Sequence, residues 1–133
     1  MLEHLDRTEA RQFLAEVRRV LAPDGVLRIV VPDLLQCARR YVEETKDADA
    51  FMEATLLAEE KPRGLIALLK CLMVGPRHHF WMYDAASLSR LLQAAGFRDV
   101  VELPAGSTTI PDPGELDLTE RAEGSVYVEA RRP

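Results

Sequence analysis

The sequence Val26-Leu-Arg-Ile-Val-Val-Pro-Asp33 contains a run of aliphatic residues that only Arg28 interrupts. Polar residues do not alternate with these apolar ones, and such continuous runs are typical of parallel strands that helices cover on both faces. We therefore predict a buried strand of a parallel sheet. Ligands bind just beyond the carboxyl ends of the strands in open α/β sheets, so Pro32 and Asp33 are predicted to face a substrate. Asp33 is placed equally well to cap the following helix.

A helix is predicted upstream of this strand, beginning at about Arg7. Asp6 and Glu9 have the spacing at which each side chain bonds the backbone N–H of the other residue. Apolar residues then recur at helical spacing as far as Leu21, which predicts that one face packs against a sheet. The turn Pro23-Asp-Gly25 ends the helix, because proline cannot continue it and glycine adopts positive φ at low cost.

Residues 34–76 are predicted to form a helical insertion of three short helices, with breaks near 46–49 and at 61–64. The last helix, at 65–74, is apolar around most of its circumference and is therefore expected to be buried. An insertion at this point in an α/β chain lies above the carboxyl ends of the strands. It is therefore a candidate lid over a substrate pocket.

Residues 78–83 combine two histidines with three aromatic side chains. Adjacent residues of an extended chain point to opposite sides, and the histidines lack the spacing of known zinc motifs, so we predict no metal site. The prediction is a loop that its aromatic residues anchor while one histidine, His78 or His79, faces a pocket. Trp81 and Tyr83 are expected to face the substrate as well.

The carboxyl-terminal part of the chain predicts a helix and two strands. Asp84 is placed to cap the helix and Gly96 to end it. Residues 97–103 and 126–130 are expected to pair as a hairpin, the second strand having a wetter face formed by Tyr127, Glu129 and Arg131. The connection at 104–124 is long enough to be functional or mobile.

Composition sets broad limits on function. A chain of 133 residues has the length of one domain, so residues 1–133 are taken as a single domain. The net charge of -5 offers no basic stripe, so no nucleic-acid partner is expected. The isolated Cys37 and Cys71 fit a reducing, cytoplasmic environment. No apolar run approaches the roughly 20 residues that a bilayer requires, so no membrane association is expected.

Four segments together resemble the carboxyl-terminal half of class I S-adenosylmethionine-dependent methyltransferases of the small-molecule type. They are residues 2–5 (Leu-Glu-His-Leu), 16–25, 26–33 and 79–97. The resemblance implies a partial Rossmann-like α/β fold, with a parallel strand and a carboxyl-terminal antiparallel hairpin flanked by helices. It also implies that the amino-terminal half, which binds the cofactor, is missing, and that Met1 is an internal methionine serving as a start.

The same resemblance implies S-adenosylmethionine as cofactor and places Glu3, His4 and Leu5 beside it, with His4 nearest the methyl group. A purely structural role for His4 at the helix entrance stays open. The sequence lacks the family's Gly-rich loop and the acidic residue that holds the ribose, so cofactor binding by this chain alone is not expected. For a catalytic base acting on a small-molecule acceptor, the candidates are the three histidines and Asp33.

The predicted strand at residues 26–31 has an apolar edge where a fourth strand of the family would lie. An uncovered edge of this kind favours association, so the chain is a piece of a longer enzyme, pairs with a copy of itself, or binds a partner that covers the edge. We predict a homodimer for the isolated chain. The functional prediction is a methyltransferase or a truncated portion of one. The alternatives are a non-catalytic remnant that serves as a dimerisation or regulatory module, and a binder of small apolar ligands that uses the helix at 65–74.

Overall fold

A computed structural model of the chain describes residues 1–57 and 79–133. In the first range, a 3-10 turn at Leu2–His4 precedes helix α1 (Arg7–Val20), strand β1 (Val26–Pro32), helix α2 (Leu34–Arg40), a π-helical turn (Tyr41–Thr45) and helix α3 (Ala48–Thr55). The second range contains helix α4 (Ala85–Ala94), strand β2 (Arg98–Leu103) and strand β3 (Ser125–Arg131). The protein is thus a mixed α/β structure.

The three strands form an antiparallel sheet in which β3, the last in the sequence, lies between β1 and β2. Val26 is opposite Arg131 at one end of the β1 and β3 pair, and Pro32 is opposite Ser125 at the other. β2 and β3 pair as well, with an irregularity between Arg98 and Val101. The predicted carboxyl-terminal hairpin is confirmed, and β1 and β2 run in the same direction on either side of β3.

The parallel sheet predicted around β1 is not confirmed by the residues that the structure describes. There, β3 is the only strand that pairs with β1, and it runs antiparallel. A continuous apolar run indicates that both faces of a strand are covered, but it does not indicate the direction of the adjacent strand. Within the described ranges, the one parallel pairing is an isolated bridge between Asp33 and Tyr83.

The apolar core lies on one face of the sheet, beneath α1 and α4. It joins side chains of both helices to alternate residues of β1 and β3: Ala10, Leu14, Ile29, Val31, Leu88, Leu92, Val126, Val128 and Ala130. The predicted helix ends are confirmed. Asp6 Oδ1 accepts from the N–H groups of Thr8 and Glu9, while Glu9 Oε2 accepts from the N–H of Asp6. Asp84 caps α4, and Gly96 follows it with a φ of +84° that favours glycine.

The opposite face of β3 is also buried, so the prediction of a wetter face there is wrong. Tyr127 and Glu129 are almost inaccessible to solvent. The long connection between β2 and β3 covers them: the Tyr127 hydroxyl donates to the carbonyl of Glu120, and both threonines at 108 and 109 donate to the Glu129 carboxylate. The sequence alternation was present, but the loop that covers the polar side chains could not be anticipated from it.

Two turns refine the predictions. At the turn before β1, the left-handed residue is Asp24, with a φ of +59°, rather than Gly25. Glycine is needed at position 25 because there is no room for a side chain: a Cβ atom there would lie 2.8 Å from the carbonyl oxygen of Ala22. The predicted break near 46–49 is confirmed by left-handed Lys46 and by Asp47, which caps α3. The predicted break at 61–64 and helix at 65–74 lie outside the described residues. Within the described ranges, no helix is long and apolar enough to cross a membrane.

Candidate functional site

Glu3, His4 and His79 converge at one point of the molecule. A carboxylate oxygen of Glu3 and one ring nitrogen from each histidine all lie within 4.8 Å of one another. The two imidazole rings meet edge to face, with their centroids 5.1 Å apart. The sequence separates Glu3 from His79 by most of the chain, so this cluster is a product of the fold.

Main-chain hydrogen bonds place this cluster near the carboxyl end of β1. The Glu3 carbonyl accepts from the N–H groups of Phe80 (2.8 Å) and Trp81 (3.2 Å). Two residues further along, the carbonyl of Tyr83 accepts from the N–H of Leu34, immediately after β1 (2.8 Å). The segment at 79–83 therefore connects the amino-terminal turn to the carboxyl end of β1.

The Glu3 side chain is buried and surrounded by cationic groups. Its Oε2 accepts from the amino group of Met1 at 2.6 Å, and its Oε1 lies 3.7 Å from both His4 Nε2 and Arg121 Nη1. Burial disfavours the charged carboxylate and alone would raise the Glu3 pKa. The hydrogen bonds from the Met1 amine and from the backbone N–H, together with the charges of that amine and of His4, have the larger combined effect. The Glu3 pKa is therefore lowered. Glu3 is therefore an anion inside the protein.

His79 is buried and held by two main-chain carbonyls. Its N–H donates to the carbonyl of Leu56 (2.9 Å), and its Nδ1 lies 2.7 Å from the carbonyl oxygen of Thr55. A carbonyl only accepts, so Nδ1 carries the proton and Nε2 carries the lone pair in the neutral ring. Burial lowers the His79 pKa and keeps the ring neutral at pH 7, despite the opposing effects of the Thr55 carbonyl and of the Glu3 charge.

The exposed side of the site is formed by His4 and Trp81. Both side chains are partly accessible to solvent, and the guanidinium of Arg7 stacks on the Trp81 ring, 4.6 Å from its centroid. Tyr83, in contrast, is buried in the core. Burial raises the Tyr83 pKa, the charge of Glu3 raises it further, and Arg7 opposes both. Of the two aromatic residues predicted to face a substrate, Trp81 is the accessible one.

The remaining predicted site residues lie apart from this cluster or outside the described ranges. Leu5 packs against the core, and Pro32 pairs with Ser125 in the sheet. Asp33 caps α2 by accepting from the N–H of Leu35 at 2.9 Å, so the capping role predicted for it is confirmed. Asp33 also lines a shallow cleft of about 380 Å³. His78 lies outside the described residues.

The described residues do not form a cradle for S-adenosylmethionine. Of the three residues that the resemblance assigns to this cofactor, Glu3 is buried and engaged with the Met1 amine, and Leu5 belongs to the core packing. His4 alone offers an accessible polar side chain. Within residues 1–57 and 79–133, these three residues thus offer no group placed to hold the ribose or adenine of such a cofactor.

Two residues of the site were missed by sequence reasoning. Arg121 lies in the connection before β3 and reaches Glu3, and Thr55 at the end of α3 orients the His79 ring through its main-chain carbonyl. A carbonyl leaves no signature in side-chain identity. Arg121 is one of many scattered arginines, so neither residue could be found from composition or spacing.

No family model matches the chain, and no curated protein or solved structure matches it.

Proposed function

We propose that this chain is the acceptor-side portion of an S-adenosylmethionine-dependent methyltransferase that acts on a small molecule. The observation that carries the proposal is the convergence of Glu3, His4 and His79 near the carboxyl end of β1. A buried neutral imidazole beside a buried carboxylate is a suitable acid–base pair, and its position is where α/β sheets bind substrates.

The strand order supports the same proposal. β1 and β2 run in one direction and β3 is reversed between them. The resemblance implies a Rossmann-like sheet that ends in a reversed hairpin, and the described sheet is compatible with the carboxyl-terminal edge of such a sheet. In this proposal, strands that precede β1 in the complete fold would cover its free edge and supply the cofactor site.

The proposed chemistry assigns a separate task to each residue of the cluster. S-adenosylmethionine, when bound, supplies the methyl group, and its carbon–sulfur bond breaks as the bond to the acceptor forms. His79 Nε2 accepts the proton that the acceptor loses, while the Thr55 carbonyl holds the proton on Nδ1. The Glu3 carboxylate stabilises the resulting imidazolium by its charge. His4 and Trp81, on the accessible side, contact the bound molecules.

The experiment uses Trp81, the single tryptophan of the sequence, as a fluorescent probe beside the cluster. S-adenosylhomocysteine is titrated into the untagged chain while tryptophan emission and binding heat are recorded. The proposal predicts binding weaker than that of a complete enzyme, because the main cofactor contacts are absent, together with a change in Trp81 emission. A folded protein that shows neither signal at millimolar ligand would contradict the assignment of His4 and Trp81 to the ligand-contacting side, and micromolar binding would contradict the absence of the main cofactor contacts from this chain.

Matched variants locate the binding. His4→Asn removes the accessible imidazole and is expected to weaken binding, while the distant, exposed change Glu16→Gln is expected to leave it unaltered. If both variants bind S-adenosylhomocysteine as the unmodified chain does, the ligand binds elsewhere and the assignment of His4 is wrong.

A second candidate function is a non-catalytic dimerisation or regulatory module. The pairing of β1 favours this function. Within residues 1–57 and 79–133, β1 pairs with one strand only, β3. A copy of the chain adding to the other edge of β1 would extend the sheet. Sedimentation at micromolar concentration is expected to show a dimer under this hypothesis, and a folded monomer would contradict it.

A further inference from the structure

We propose that Glu3, His4 and His79 form a binding site for a divalent transition metal ion, with zinc as the ion that the ligand set fits best. Two imidazoles and one carboxylate are a ligand set of catalytic zinc sites, which use three protein ligands and leave one position open. The three ligand atoms already lie within 4.8 Å of one another. This inference concerns metal binding and does not depend on methyl transfer.

The distances require a small approach of the three ligand atoms toward one another. Ligand atoms around a tetrahedral zinc ion lie roughly 3.4 Å apart, as follows from metal–ligand bonds of about 2.0–2.1 Å. His4 Nε2 and Glu3 Oε1 are 3.7 Å apart, close to this value. The remaining pairs of ligand atoms lie within 4.8 Å, so they would have to approach by at most about 1.4 Å when an ion binds.

Contacts in the second coordination sphere orient the buried ligand. The Thr55 carbonyl accepts from Nδ1–H of His79, which fixes the ring and leaves the lone pair on Nε2. Metal-bound histidines almost always donate their other N–H to a carbonyl or carboxylate in this way. The main chain of Glu3 is fixed as well, because its carbonyl accepts two N–H groups of the segment that follows His79.

Two cations compete with a metal for the Glu3 carboxylate. The Met1 amine bonds Oε2, whereas Arg121 Nη1 lies 3.7 Å from Oε1, beyond hydrogen-bond distance. We therefore assign Oε1 to the metal. Since the side chain of Arg121 is largely exposed, it can move away at little cost. His4 is the accessible ligand of the three, so an open position on its side of the ion would admit a water molecule or an acceptor oxygen.

The metal would change the chemistry of the proposed function at this site. A bound zinc ion occupies the lone pair of His79, so that ring no longer accepts a proton. Zinc instead lowers the pKa of an oxygen ligand in the open position, which serves the same purpose of preparing an acceptor oxygen. A binding measurement is the appropriate test, because it gives a result whether or not the chain transfers methyl groups.

Calorimetric titration of zinc chloride into the untagged, EDTA-treated chain at pH 7.5 tests the site. We expect one zinc ion per chain with micromolar or tighter affinity. His4→Asn and Glu3→Gln should each weaken binding at least about tenfold, since loss of a second-sphere partner alone costs about 10–100-fold. Glu16→Gln and Cys37→Ser, which alter an exposed carboxylate and a thiol outside the cluster, should bind zinc like the unmodified chain.

Nitrogen-15 spectra of the histidine rings give an independent readout, because the sequence has three histidines in all. Zinc is expected to shift the ring nitrogens of His4 and His79. The inference is overturned if the chain binds no zinc at 100 μM protein, if magnesium binds and zinc does not, or if folded His4→Asn protein binds zinc unchanged. His4 is accessible, so its variant is informative even where Glu3→Gln fails to fold.

Discussion

Two buried glutamates, Glu3 and Glu129, differ in how exposed their charged partners are. Their side chains are 2% and 1% exposed, and the pKa of each is lowered although burial opposes ionisation. The carboxylate of Glu129 accepts from Arg28, from both hydroxyls of Thr108 and Thr109, and from the N–H of Thr109. It joins β1, β3 and the connection between β2 and β3, and this assigns it a structural role.

The partners of the two carboxylates differ most in exposure. Arg28, which pairs with Glu129 at 2.7 Å, is only 8% exposed, so each charge of this pair depends on the other. Around Glu3, by contrast, the Arg121 side chain is 60% exposed and Met1 is an exposed residue, so water can solvate Arg121 if Glu3 is lost. Burial is therefore the same for both carboxylates, and the exposure of their partners is what distinguishes them.

Removing Arg28 should produce the largest effect. Arg28→Met leaves the Glu129 charge buried without its cation, and breaking one side of a buried ion pair costs about 3–5 kcal/mol of unfolding free energy. Urea denaturation at pH 7 measures the loss. Arg19→Met, at an exposed pair with Glu16, is the control and should leave the unfolding midpoint unchanged. A loss below about 1 kcal/mol for Arg28→Met would show that the pair does not hold this face.

A smaller loss is expected from Thr109→Val, which removes one hydroxyl donor to Glu129 with little change of shape. The carboxylate keeps its other donors, so the expected cost is about 1–2 kcal/mol. Thr119→Val removes a similar hydroxyl bond to the exposed Asp117 and serves as the matched control. The same urea experiment compares them, and equal effects from both substitutions would contradict the claim that burial makes the Glu129 network costly to break.

Titration of His79 should make stability depend on pH near the Glu3 site. Its pKa is lowered on folding, mainly by burial, so the unfolded chain binds the proton more readily and stability falls as pH drops below the ordinary value of 6.5. The loss levels off once pH passes below the folded pKa. Lowered carboxylate pKa values act in a separate, more acidic window, below 4.5.

His79→Asn tests this pH dependence, because the asparagine amide retains a donor for the Thr55 carbonyl but does not titrate near neutrality. Unfolding free energies between pH 7.5 and 5 should vary less for this variant than for the unmodified chain. His4→Asn, at the accessible histidine of the cluster, should retain most of the dependence. A slope that persists in His79→Asn would assign the titration to another group.

The smallest effect is expected at the rim of the Glu3 site. Arg7→Met removes the cation that stacks on Trp81, a contact of about 0.5–1 kcal/mol at an accessible position. Arg11→Met on the same helix is the control. Trp81 emission should change in Arg7→Met and not in Arg11→Met. An unchanged emission spectrum would indicate that the stacked geometry is not maintained in solution.

Local signals in the sequence predicted most of the fold. The capping residues Asp6 and Asp84, the stop at Gly96 and the run of aliphatic residues in β1 each specify a nearby backbone state, and the structure confirms them. The direction of the strand beside β1 is not a local property. The burial of Glu129 also escaped prediction, because its cover comes from a loop that must fold over the sheet first.

The sequence predicted the residues of the candidate site individually but did not predict that they converge. Glu3, His4 and His79 were each named from the sequence, yet as separate cofactor and base candidates. The spacing of His78 and His79 predicts no metal site, because it describes two adjacent residues only. The fold instead brings His79 to Glu3 and His4 near the amino terminus through main-chain hydrogen bonds, which no motif spacing predicts.

One measurement tests the contrast between the two glutamates most directly: urea unfolding of Glu3→Gln and Glu129→Gln, in parallel at pH 7. Glutamine keeps the size of the side chain and removes its charge. Arg28 is then buried without an anion in Glu129→Gln, whereas the cations beside Glu3 remain accessible to water in Glu3→Gln. We predict that Glu129→Gln loses about 3 kcal/mol or more, and Glu3→Gln about 1 kcal/mol or less. Equal losses, or a larger loss for Glu3→Gln, would contradict the assignment of Glu129 to structure and of Glu3 to function.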